Sequence, residues 1–117
     1  NDTLFELEII NFSGSEHITE RMGNLQFLIS PKSFYQTNSD QAFELYKIVD
    51  EMADLKGSEL VFDLYTGTGT IANFLAHKAK KIIGIEYVDD AVADAKKNMV
   101  LNNTYQYGTI KNSIYKL

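Results

Sequence analysis

An α/β fold is predicted: the opening βα units of a Rossmann-like, mainly parallel sheet, preceded by a short β connector. Three observations predict it. Two short apolar strands, LVFDLY at 60–65 and KIIGIE at 81–86, each lead into a segment of helical period. A glycine turn, TGTG at 66–69, joins the first of these strands to its helix. The order helix, strand, helix, strand, helix is that of βαβ units, whose strands lie parallel.

Each element has its own local reason. Residues 4–10, LFELEII, alternate imperfectly and read as a strand. NFSGSEHITERMG then carries turn residues at Ser13–Gly14–Ser15 and at Gly23. LQFLIS, 25–30, reads as a second strand closed by Pro31, the only proline. From Asn38 the period turns helical, with Ala42, Leu45, Tyr46, Val49 and Ala53 on one face and Met52 extending a stripe expected in the core. Asn38 or Ser39 is placed to cap the first turn, and Gly57 follows the end. After the glycine turn, TIANFLAHKA continues as a helix with Ile71, Phe74 and Leu75 on one side. DDAVADAKKNMVLN follows KIIGIE as a third helix, with Asp89 or Asp90 as N-cap and Val92, Ala95 and Met99 inward. NTYQYGTIKNSIYKL, rich in Tyr, Lys and Asn, is either an altered third strand or a segment unlike a native continuation.

Composition narrows the function classes. With 117 residues, 44% hydrophobic and 23% charged, the chain has the size of one soluble globular domain. It has no cysteine, which removes disulfides, thiolate metal sites and a Cys nucleophile from these residues. His17 and His77 have no partner at metal-ligand spacing, so no metal site is assigned. The net charge of −5 argues against a clamp that grips nucleic acid by its phosphates. Lys78, Lys80 and Lys81, the one concentrated basic stretch, read as a solvated helix end. No apolar run reaches the roughly 18 residues of a membrane-spanning helix, and NDTLFELEII lacks the pattern of a secretory signal. A cytoplasmic setting, away from membranes, is expected.

The glycine turn carries the chemistry. Gly67 and Gly69 let backbone approach a ligand closely, and the helix that follows offers N–H groups at its start. Gly67-Thr68-Gly69-Thr70-Ile71-Ala72 fits G-x-G-x-x-A, the dinucleotide fingerprint. Glu86, 17 residues beyond Gly69, stands near the place of an acid that accepts hydrogen bonds from ribose hydroxyls. Asp63, on the incoming strand, separates the cofactors. It would repel a dinucleotide pyrophosphate, whereas S-adenosylmethionine brings an ammonium and a sulfonium, both positive. On charge the turn is read as a site for S-adenosylmethionine. An NAD-binding dehydrogenase module is the alternative, and a non-catalytic α/β interaction domain with an empty loop is the third reading.

These residues also carry a likeness. DLYTGTGT, together with ISPKSFYQTNSDQAFELY at 29–46 and GIEYVDDAVADAKKN at 84–98, resembles the class I S-adenosylmethionine-dependent methyltransferases. Within them it is most similar to the RNA uracil-5 methyltransferases that make 5-methyluridine in ribosomal and transfer RNA. The likeness covers about residues 17–103, and SFYQTN with DLYTGTGT is far more specific than a glycine turn alone. It implies S-adenosylmethionine held by Gln36, Tyr65, Thr70 and Glu86, beside Asp63, Gly67 and Gly69 from the reading above. It implies an RNA substrate methylated at uridine C5, with 23S ribosomal RNA expected. Phe34 or Tyr35 would stack on an extruded base or anchor the loop. Thr66 stands where many relatives carry a Cys that is not their nucleophile.

The resemblance also implies a Cys that adds to uracil C6 and a Glu base, both in segments beyond this sequence. No catalytic residue is therefore assigned. Asn112 is the candidate for the third strand's polar end near the adenine. The chain is expected to be a fragment: residues 1–30 a β-rich connector, and 31–117 the N-terminal half of a methyltransferase domain. An exposed sheet edge and self-association are expected with it.

Overall fold

The computed structural model describes residues 8–32, 35, 36 and 38–104, and the backbone of 108–112. Strands β1 (Ile18–Met22) and β2 (Leu25–Ile29) form an antiparallel hairpin. Gly23 and Asn24 make its two-residue turn, with Gly23 at φ +58°, the backbone that a tight hairpin favours. The sequence predicts no strand over ITERM, which alternates polar and apolar residues too weakly; in the structure only Met22 of these five is fully buried. The strand expected at 4–10 is not found at residues 8–10, and the remainder lies outside the described residues. Among the described residues both sides of β2 are occupied: β1 pairs with one, and side chains of the third helix close the other.

Helix α1 (Ser39–Ala53) starts at Asn38, whose side chain accepts from the Gln41 N–H at 3.1 Å. It ends at Asp54, which takes the left-handed conformation at φ +48°, three residues before the expected Gly57. Ala42 and Tyr46 are buried, but Met52 is 81% exposed, so the stripe assigned to the core is only partly so. Met22, Phe27, Ile29, Ala42 and Tyr46 form one core. Tyr35 packs on Phe27 with ring centroids 5.9 Å apart and so anchors its loop; Phe34 lies outside the described residues.

The second sheet is parallel, in the order β3 (Leu60–Leu64), β4 (Lys81–Glu86), β5 (Gly108–Asn112). Helix α2 (Thr70–Leu75), continued by a 3₁₀ turn at Ala76–Lys78, connects β3 to β4. Helix α3 (Asp89–Leu101) connects β4 to β5. Its N-cap is Val88, not an aspartate; Asp89 and Asp90 occupy its first turn, where their charge favours the helix start. The atypical C-terminal stretch does supply a third strand, paired in register with β4. Ala72, Leu75, Ala76, Ala79 and Ile82 make a second core, and Ile71 and Phe74 pack against both. Outside these cores His17 lies 3.6 Å from the buried Asp94, and Lys78 pairs with Asp50.

The period of two along β3 turns Val61 toward the helices and Leu60, Phe62 and Leu64 away from them. All three outward side chains are more than half exposed, and β3 is an edge of its sheet. Such a bare apolar face beside a bare edge favours association. The isolated chain is expected to self-associate with rising concentration, and Phe62→Lys with Leu64→Lys to reverse this. Multi-angle light scattering checks it; a wild-type mass that stays monomeric across concentrations refutes it.

Candidate cofactor-binding site

The ends of β3 and β4 meet at the glycine turn. Past Leu64 the chain bends at Tyr65, a non-glycine residue at φ +58° whose side chain is 71% exposed. A left-handed Tyr costs of order 1–3 kcal/mol, a strain that tends to collect at functional sites. Thr66 then returns to the sheet, its N–H donating to Ile85 O at 3.0 Å. Gly67 and Gly69 stand at φ +59° and +80°. A Cβ added at Gly67 would meet nothing within 4 Å, so the loop opens there onto free space. Gly69 donates to Thr66 O at 2.9 Å and caps α2 without a side chain.

The two acids flank this loop. Glu86 is largely buried and bonded to backbone: Oε1 accepts from Gly67 N at 3.0 Å, and Oε2 from Tyr87 N at 2.8 Å and Val88 N at 3.0 Å. A carboxylate has about four lone-pair positions, so these three bonds leave room for one further donor. Its bond to Gly67 also ties the end of β4 to the loop after β3. Asp63 accepts from the Thr66 hydroxyl at 2.7 Å. Burial holds the Asp63 carboxyl above its ordinary range, and the nearby Glu86 charge adds to this, while hydrogen bonds from Thr66 and the Ala72 N–H pull the other way. A buried acid beside a second acid is poised for a cation and disfavours a pyrophosphate.

Close packing at the strand ends makes this arrangement possible. Asp63 pairs in register with Gly84. A Cβ at Gly84 would come within 2.9 Å of the Thr66 side chain, the same side chain that bonds Asp63. Sequence reading passed over Gly84 as one residue of an apolar strand. Its only local signal is a glycine inside a strand, which marks close approach.

Of the residues singled out from sequence, Asp63, Tyr65, Gly67, Gly69, Thr70 and Glu86 come together at this one edge. Thr70 is buried, with its hydroxyl 3.2 Å from that of Thr68, so it faces into the loop. Gln36 is exposed in the stretch entering α1, and among the described residues no hydrogen bond joins it to the loop. Backbone register sets Asn112 opposite Glu86, the position expected of a third polar strand end. Beside Glu86 a cleft of about 310 Å³ is lined by Lys32, Tyr87, Val88, Asp89 and Asp90. The helix after the loop is only six residues long, so its dipole offers a phosphate little. Buried Asn73 and Asn98, which sequence reading missed, also reach the loop.

A parallel sheet with a glycine turn at its carboxyl edge and acids ending two adjacent strands defines the Rossmann-like fold of the class I S-adenosylmethionine-dependent methyltransferases. In sequence the chain is similar to bacterial RNA methyltransferases, themselves uncharacterized. It is 53% identical over 115 residues to one from Bacteroides thetaiotaomicron, matching 98% of this chain and 24% of that protein. It is 57% identical over 102 residues to one from Porphyromonas gingivalis, matching 87% of the chain and 22% of the relative. The chain thus spans about a quarter of the length of these relatives. Among solved structures, the Pyrococcus abyssi tRNA (uracil-54, C5)-methyltransferase in complex with S-adenosyl-L-homocysteine superposes with a TM-score of 0.73 at 34% identity, over 86% of this chain and 24% of that one. Methanocaldococcus jannaschii Trm5, in complex with adenosine, shares the fold at TM-score 0.73 and 17% identity, over 91% of this chain and 32% of that one. No protein-family model matches the chain.

Proposed function

We propose that this chain is the S-adenosylmethionine-binding part of an RNA methyltransferase that acts at uridine C5, with 23S ribosomal RNA as its expected target. Residues 1–30 are the connector and 31–117 the first half of the catalytic domain. The observation that carries the cofactor reading is the pair of acids around an open glycine loop, with Asp63 partly buried and, among the described residues, no cation paired with it. The ammonium and sulfonium of S-adenosylmethionine supply positive charge opposite these acids. The uridine reading is supported by the 34% identical neighbour, which methylates C5 of a tRNA uracil, and by the SFYQTN and DLYTGTGT stretches.

Bound there, S-adenosylmethionine supplies an electrophilic methyl group. The residues of this chain bind and orient it. Asp63 faces its cationic end, and Gly67 and Gly69 allow close approach. Glu86 would accept from a ribose hydroxyl through its remaining lone pair, and Tyr65 and Gln36 would supply further contacts to the cofactor. The bare face of β3 receives the remainder of the domain, which also brings the nucleophile and base. The NAD reading loses ground to the short α2 and to Asp63.

Calorimetric titration with S-adenosylhomocysteine and, separately, NAD tests the cofactor. Saturable binding of the first and none of the second is expected. NAD binding instead overturns the reading. Transfer of radiolabelled methyl groups by the longest natural polypeptide carrying this sequence, to unmodified 23S ribosomal RNA and to transfer RNA, tests the substrate. Label at a base other than uridine refutes the uridine assignment, and label in transfer RNA alone moves the target.

A further inference from the structure

Helix α3 meets the hairpin with a polar stripe. Asp94, Asn98 and Asn102 stand four residues apart on it, and each bonds the backbone of an alternate position on the β2 side. Ser30 N donates to Asp94 Oδ2 at 2.7 Å. Leu28 N donates to Asn98 Oδ1 at 2.6 Å, and Asn98 Nδ2 returns a bond to Leu28 O at 3.0 Å. Gln26 N donates to Asn102 Oδ1 at 2.8 Å, and Asn102 Nδ2 returns a bond to Gln26 O at 2.7 Å. The periods agree: four helical residues rise about 6 Å, and two strand residues about 6.6 Å. Side chains of α3 therefore close the β2 edge opposite β1, as a third strand would.

Asn98 also reaches the glycine loop. It is 0% exposed, and its amide also donates to Thr68 O at 3.1 Å, between the two loop glycines. Three bonds fix the amide, because flipping it would set its oxygen against the Leu28 and Thr68 carbonyls. Among the described residues, Asn102 bonds only β2 and its own helix. A matching anchor lies one residue along the loop, where Asn73 Nδ2 donates to Gly69 O at 2.7 Å and is held in turn by the Thr104 hydroxyl.

We propose that Asn98 is a positioning residue for the cofactor loop, sharing one buried amide between the hairpin edge and the Thr68 carbonyl, so that hairpin docking and loop shape are coupled. This rests on the reading of the loop as the S-adenosylmethionine site. Losing the Thr68 bond frees a loop carbonyl that must be set before ligand fits, whereas losing the Asn102 bonds loosens the hairpin and the end of α3 but frees no loop carbonyl.

The test compares wild type, Asn98→Ala and Asn102→Ala in the longest natural polypeptide carrying this sequence. S-adenosylhomocysteine Kd is read by calorimetry and Tm by thermal melting. Both variants are expected to lose Tm. Asn98→Ala is expected to weaken binding about tenfold or more, the equivalent of one lost buried hydrogen bond. Asn102→Ala should stay within about twofold, as a site with no contact to the loop. Equal weakening in both, or none in Asn98→Ala, overturns the proposal. Should Asn98→Ala fail to fold, hydrogen exchange on the wild type decides. Saturating S-adenosylhomocysteine should slow the Leu28 amide clearly more than the Gln26 amide, and equal slowing overturns the coupling. A wild type that binds no S-adenosylhomocysteine overturns the cofactor reading itself, which the variant results alone would not.

Discussion

Glu86→Ala is expected to weaken S-adenosylhomocysteine binding by about a hundredfold or more and to lower Tm at the same time. The carboxylate does two jobs. It accepts three backbone N–H bonds, from Gly67, Tyr87 and Val88, and the first of these holds the glycine loop against the end of β4. Under the proposed cofactor reading, its remaining lone pair accepts from a ribose hydroxyl. Alanine leaves three donors without their acceptor, each costing roughly 1–3 kcal/mol where water cannot reach. Glu86→Gln separates the jobs. Its amide keeps one acceptor but turns an NH₂ toward a backbone donor, so an intermediate loss of about tenfold is expected. Calorimetry with thermal melts on the same samples checks both. Binding of Glu86→Ala within about threefold of wild type would remove Glu86 from the site.

Asp63→Asn is expected to raise Tm at neutral pH while weakening S-adenosylmethionine binding about tenfold or more. The folded-state pKa of Asp63 lies above its ordinary 3.8, chiefly because burial disfavours the charged form. The folded protein therefore holds this proton more tightly than the unfolded chain does. Stability is lost as pH rises from the unfolded value through the folded one, and at neutral pH the buried charge is a net cost. Asparagine removes the cost, and its side-chain oxygen can still accept from Thr66. The gain in Tm should vanish below the ordinary aspartate range, where wild type is also uncharged. Binding has the opposite sign. A cation at the site favours ionised Asp63, so binding releases a proton and affinity rises with pH across the same window. A Tm for Asp63→Asn at or below that of wild type at pH 7 would refute the burial argument. Unchanged affinity would refute the cation contact.

Much of the site was legible because its signals are local. TGTG needs glycines to turn a strand into a helix, and the strand ends on either side carry acids that have no other place in an apolar run. The order of β3, α2, β4 and α3 follows from periodicity that a few residues display by themselves. The misses have one physical origin. Strand β1 is polar enough to read as a turn, and it is a strand because β2 offers it an edge. Met52 lies on an apolar stripe but beyond the reach of the core. Asp89 and Asp90 are good capping residues, yet the helix begins at Val88 because Val88 and Tyr87 donate to Glu86.

The sequence by itself determined the α/β order, the glycine turn and the two acids that make its edge negative, since these depend on residues within a few positions of one another. Only the tertiary structure decided that Gly84 makes room for Thr66 and that one face of β3 stays bare. It alone decided that Asn98 bonds a strand edge 70 residues away and a loop carbonyl 30 away. Even where the spacing is regular, the sequence does not name the partner, because the chain fixes which groups meet only when it closes on itself.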